Sequence, residues 1–115
     1  MIAVSGLLGT RAVMEQDFYR HNFRAHGITS LVPGEEQREF VHNLIYDELC
    51  VGKLIPESRE QLRTIILGLQ RAGAEAVVLA CTELPLLISS EDSPVKLFDT
   101  MTLHVRKAVN YALEE

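Results

Sequence analysis

AVVLACTELPLLIS, residues 76–89, changes character halfway along, and that change decides the fold. Ala76, Val77, Val78, Leu79 and Ala80 form a continuous apolar run, the pattern of a parallel strand covered on both faces. Pro85 follows five residues later, and proline is tolerated in the first turn of a helix, where its missing N–H costs nothing. The spacing therefore predicts a strand over 76–80 and a helix starting at about Thr82, whose hydroxyl can cap it. Cys81 falls at the carboxyl end of the strand and beside a helix N-terminus. Ligands bind at that edge of open α/β sheets, and thiol pKa values fall beside helix N-termini. Position alone leaves two readings of Cys81, a reactive thiol or a packed structural one, since free cysteine is among the most buried residue types.

Outward from this stretch the chain keeps alternating. Residues 2–8 read as a strand closing on Gly9-Thr10, and Thr10 can cap a helix running to about His26. Met14, Phe18, Tyr19 and Phe23 would form its apolar stripe, and Gly27 suits the left-handed position after its end. Residues 28–32 read as a short strand stopped by Pro33-Gly34. The next helix carries Phe40, Val41, Leu44, Ile45 and Leu49 at helical spacing, with Glu35 and Glu36 in its first turn, and ends at Gly52. A connector over 53–56 leads to a third helix with Leu62, Ile65, Ile66 and Leu69 on one face, closed by Gly73. Beyond the central stretch come a polar loop over 89–94, a strand over 95–98 ending at Asp99-Thr100, and a last helix over 102–113 with Val105, Ala108, Val109 and Ala112 as its stripe.

Alternation of this kind predicts an α/β fold, a four-stranded parallel sheet flanked by helices and joined by right-handed crossovers. At 115 residues the chain supports one core, not two. A net charge of −5 and the lack of a Lys/Arg-rich block argue against nucleic acid or an anionic membrane as partner. No apolar run approaches the roughly 20 residues that span a bilayer. The first ten residues lack the basic segment and cleavage site of a signal peptide, so a cytoplasmic setting is expected. Cys50 and Cys81 fit no metal-ligand spacing, and His21, His26, His42 and His104 are scattered, so no metal is expected.

In a parallel sheet all strand carboxyl ends share one edge. Three of them carry hydroxyls here: Thr10, Thr82 beside Cys81, and Thr100 beside Asp99. Helices opening from that edge offer free N–H groups to an anion such as a carboxylate. A thiol beside such a cradle suits acid–base or nucleophilic work on a small acid, while each threonine taken singly is explained by capping alone.

The stretches GLLGT (6–10), MEQDFY (14–19), IYDELCVGK (45–53), GAEAVVLACTELPLLI (73–88) and SPVKLFDT (93–100), in this order, resemble the aspartate/glutamate racemase family. The resemblance covers the C-terminal half of that family from end to end. It implies one α/β lobe, residues 1–115, of a two-lobed, cofactor-independent enzyme whose active site lies between the lobes, with the N-terminal lobe absent. Such an enzyme inverts the α-carbon of a dicarboxylic amino acid by two-base proton transfer. By the same resemblance Cys81 matches the catalytic cysteine of this lobe, and Thr82, Thr10 and Tyr46 match substrate-binding positions. Cys50 stands where some members carry a lysine. Glu83 and Asp99 are read as orienting or capping groups, and His42 and His104 as surface or supporting histidines.

The implied partners are a small dicarboxylic amino acid substrate and either a second copy of the chain or a complementary N-lobe chain. Alone, the lobe is expected to be weak or inactive, since one cysteine cannot serve both faces of a carbon. A non-catalytic module that keeps the fold, and a related maleate isomerase, hydantoin racemase or arylmalonate decarboxylase, are the alternatives. The resemblance also implies that the last helix packs towards the other lobe, leaving Val105, Val109 and Ala112 as a patch favouring self-association.

Overall fold

The computed structural model describes residues 2–99. The positions expected for Thr100, His104 and the helix over 102–113 lie outside the described residues. In chain order the elements are β1 (Val4–Leu8), α1 (Arg11–Glu15), α2 (Asp17–Ala25), β2 (Thr29–Leu31), α3 (Glu35–Asn43), a π-helical turn (Leu44–Glu48) running into a 3-10 turn (Leu49–Val51), α4 (Pro56–Arg71), β3 (Ala76–Leu79), α5 (Leu84–Leu87), a 3-10 turn (Ser90–Asp92) and β4 (Lys96–Asp99). The four strands form one parallel sheet in the order β2-β1-β3-β4, with Leu7 opposite Val78 and Leu8 opposite Leu79. The expected fold class is what the chain adopts. Among the described residues no helix is long and apolar enough to cross a membrane.

Burial follows strand position. All four residues of β3 are buried and so are the last four of β1, while β2 and β4, at the edges, stay partly exposed. Leu8, Val77 and Leu79 join the main core with the expected α4 stripe, Leu62, Ile65, Ile66 and Leu69. At Gly6 a Cβ would stand 3.0 Å from Leu69 Cδ1 and Val77 Cγ2, so the missing side chain lets α4 lie close on the sheet. Each fully buried aliphatic side chain contributes on the order of 1.5–3 kcal/mol.

Three helical expectations are corrected. The single helix expected from Thr10 to His26 is two helices broken at Gln16, whose extended backbone (φ −84°, ψ 158°) cannot continue a helix. Of its expected stripe only Met14 is buried; α2 buries no residue, and Phe18 is 68% exposed. The helix carrying Leu44 to Leu49 widens to a π-turn before the left-handed Gly52 (φ 80°) ends it. Helical spacing of apolar residues does not distinguish an α-turn from a π-turn, because Leu44, Ile45 and Leu49 are buried either way.

The start of β1 is held by a side chain. The Glu75 carboxylate accepts the Ala3 and Val4 N–H groups at 2.7 and 2.9 Å, and these bonds hold its carboxyl below the ordinary carboxylate range. A depressed carboxyl lends stability that is present above its ordinary pKa and is lost as pH falls through the depressed value. The melting temperature of the native chain is therefore expected to exceed that of Glu75→Gln at neutral pH, and the gap to close on acidification. A gap that stays constant with pH would count against this clamp.

Candidate active site

The strand order reverses between β1 and β3: the chain leaves β1 for β2 on one side and returns to β3 and β4 on the other. In open α/β sheets the crevice outside the carboxyl ends of such a strand pair is where ligands bind. Thr10 and Cys81 each lie two residues beyond the paired couple Leu8 and Leu79, so both stand at this crevice. The Ala80 N–H donates to the Leu8 carbonyl at 2.8 Å and keeps the two strand ends together. Gly9 makes the approach possible, since a Cβ there would meet Val13 Cγ1 at 2.9 Å and the Ala80 carbonyl oxygen at 3.3 Å.

Cys81 is partly buried, and its thiol donates to Glu83 Oε2 at 3.0 Å. Burial, and after it the Glu83 carboxylate, pushes the thiol up to about 11, while the backbone N–H groups of Glu83 and Leu84 pull the other way. The thiol is thus neutral near pH 7, contrary to the fall expected from its place in the sequence. The reason is local. Helix α5 spans only Leu84–Leu87, a single turn whose dipole is small, and a carboxylate stands directly against the sulfur.

Thr82 is exposed and does not cap α5. Glu83 holds the N-cap position, without a side-chain cap bond, and the Thr82 hydroxyl donates to the Glu83 carboxylate. The bonds from Cys81 and Thr82 together hold the Glu83 carboxyl below its ordinary range. Glu83 is therefore a poor resting place for a proton and a good acceptor of hydrogen bonds. The Glu83 and Leu84 N–H groups favour the thiolate form of Cys81, against its burial and the Glu83 carboxylate.

Thr10 caps α1 as expected, its Oγ1 accepting the Val13 N–H at 3.4 Å. The Met14 N–H goes to the Thr10 carbonyl, and the Arg11 N–H goes to His42 Nδ1 at 3.0 Å. Most of the donors expected to face an anion at this helix start are already engaged. Tyr46 sits in the π-turn, 54% exposed, with its ring against His42 at a centroid distance of 4.9 Å. The 3-10 turn that follows packs beside α5, which brings the Tyr46 segment to the same edge as the cysteine turn. Cys50 is an exposed free thiol in that 3-10 turn. Among the described residues no group of three His, Cys, Asp or Glu side chains is gathered to hold a metal ion.

Two contacts escaped the sequence reading, the carboxylate on the thiol and the histidine on α1. The Cys-Thr-Glu spacing was the only trace of the first. Side chains two residues apart do not face each other on a helix, and a helix was expected from Thr82, so the contact needed the shortened helix to be known.

The chain is similar to solved structures across nearly all its length. It is 42% identical to a Yersinia pestis protein provisionally named an Asp/Glu racemase, with a TM-score of 0.90 over 97% of this chain and 49% of that one. It is 36% identical to an aspartate racemase homologue from Pyrococcus horikoshii, with a TM-score of 0.85 over 96% of this chain and 49% of that one. For an aspartate racemase from Picrophilus torridus the identity is 25% and the TM-score 0.65, over 85% of this chain and 40% of the other. A Pectobacterium carotovorum protein of unassigned function is 29% identical over 113 residues, covering 92% of this chain and 71% of its own length. The chain spans about half the length of the first two solved relatives. The family model for Asp/Glu/hydantoin racemases matches residues 2–108, and this chain, with its parallel sheet and its cysteine turn at the strand crossover, belongs to that family.

Proposed function

We propose that residues 1–115 act as the C-terminal lobe of an aspartate/glutamate-type racemase and that Cys81 transfers a proton at the substrate Cα. The observation that carries this reading is the neutral Cys81 thiol, bonded to Glu83 at 3.0 Å beside the crevice between β1 and β3. Inverting Cα without a cofactor needs one group to take the α-proton and an opposing group to return a proton to the other face. A thiol held neutral suits the returning role. It delivers its proton, becomes the thiolate, and meets the Glu83 and Leu84 N–H groups. The catalyst ends each turnover with the protonation states of its two groups exchanged, ready for the reverse direction. Thr10, Thr82 and Tyr46 are assigned to the substrate, whose carboxylates need donors that stabilise the charge developing at Cα. The opposing group comes from a second copy of the chain or from a complementary lobe.

One observation favours a second reading, a module that binds dicarboxylates without turnover: a thiol raised to about 11 is a scarce base when no partner opposes it. Incubation with L- or D-aspartate, or with glutamate, in deuterated water separates the two. Deuterium at Cα is expected, with a rate rising as the square of chain concentration when a second copy supplies the opposing group. Dicarboxylate binding with no deuterium at Cα, even with a complementary lobe added, would leave the binding module. Turnover of maleate in place of aspartate would move the chain to a different reaction.

A further inference from the structure

We infer that His42 is a positioning residue that locks the π-turn carrying Tyr46 to the turn carrying Thr10, and so sets the width of the crevice in front of Cys81. His42 is next to last in α3 and partly buried. Its Nδ1 accepts the Arg11 N–H at 3.0 Å, the first helical N–H after Thr10. To accept an N–H, Nδ1 must carry the lone pair, so the bond calls for the tautomer with its proton on Nε2. The other side of the device is the ring contact with Tyr46, one turn further on, at 4.9 Å and a 50° tilt. One side chain thus touches both segments that flank the crevice.

The surroundings make this bond the specific one. Helices α1 and α3 are also tied by ion pairs, Arg38 to Glu15 at 3.1 Å and Arg11 to Glu35 at 3.7 Å. Those pairs are solvent-accessible, and exposed ion pairs are worth about 0–1 kcal/mol. They hold the helices together without fixing a turn. The His42 bond takes a backbone N–H at the very start of α1, so the Thr10–Arg11 backbone cannot move relative to α3 without breaking it. The π-turn serves the same end. It lies between His42 and the left-handed Gly52 and carries Tyr46 exposed while Leu44 and Ile45 stay buried. Such turns occur frequently at functional sites.

The inference about substrate rests on the racemase reading proposed above, while the geometry of His42 does not, and the experiment separates them. In the uniformly 15N-labelled chain, NMR is expected to show the Nε2–H tautomer of His42 and a scalar coupling across the bond between Arg11 N and His42 Nδ1. His42→Asn keeps an acceptor near the Nδ1 position, and His42→Phe keeps only a ring. L-Aspartate affinity, followed by chemical-shift titration, is expected to fall about tenfold in His42→Phe and to be largely retained in His42→Asn, with the rate of Cα exchange at saturation little changed in either. A Nδ1–H tautomer, or Tyr46 ring resonances that stay put in both variants, overturns the proposal whatever the activity. Equal loss of saturated exchange in both variants also overturns it, because His42 would then act in the chemistry. Absence of aspartate binding and exchange in the native chain, with the coupling present and the Tyr46 resonances moved in His42→Phe, sinks the racemase reading and leaves the place of His42 standing.

Discussion

In a Cys50→Ser background, Glu83→Gln is expected to lower the midpoint of the Cys81 thiolate titration, read by ultraviolet absorbance, by roughly one pH unit. Burial is the larger cause of the raised thiol and survives the substitution; the carboxylate is the part removed. The two backbone N–H groups that favour the thiolate also remain. A fall of that size raises the thiolate fraction near neutral pH about tenfold. Alkylation by iodoacetamide rises less, about threefold, because a less basic thiolate is a weaker nucleophile, with a Brønsted slope of about 0.4–0.5. The protonated form is hardly touched: a midpoint one unit below about 11 still leaves the thiol almost wholly protonated near pH 7, so under the proposed mechanism no loss of Cα exchange is expected from depletion of the donor. A midpoint that does not move would mean that the 3.0 Å contact does not set the state of the thiol.

The second large effect is on the fold. Ile66→Ala is expected to cost about 2–5 kcal/mol in urea unfolding, from lost transfer energy plus the cavity left behind. Ile66 is fully buried in α4, in the core that joins this helix to Leu8, Val77 and Leu79 of the central strands. A domain of this size is stable by only about 5–15 kcal/mol, so the loss takes a large share. A cost below about 1 kcal/mol would mean that α4 does not anchor the sheet through this face.

Most of the scaffold was legible because its signals are local. The apolar run at residues 76–80, the Pro85 constraint and the α4 stripe each follow from period and side-chain type, and the sheet puts them where those signals point. The breaks were not legible. Gln16 can continue a helix as far as propensity goes, and nothing at Leu44–Glu48 distinguishes a π-turn from an α-turn, since packing decides both. The strand order was also out of reach, and with it the crossover between β1 and β3 that brings Thr10 and Cys81 together. At the site, residue types were readable and directions were not. Position alone left Cys81 between a reactive and a packed thiol, and the direction of its pKa shift depended on its burial first and on the Glu83 carboxylate after it. His42 was read as a supporting histidine, and only the geometry gives it the Arg11 N–H and the Tyr46 ring.

The central claim is that one of the two thiols transfers the α-proton. The direct measurement is deuterium incorporation at Cα of L- and D-aspartate, followed by proton NMR in deuterated water, for the native chain, Cys50→Ala and Cys81→Ala at matched concentration. The expected result is equal exchange by the native chain and Cys50→Ala, with loss to background in Cys81→Ala while its melting temperature is retained. Exchange at the native rate in Cys81→Ala would contradict the account.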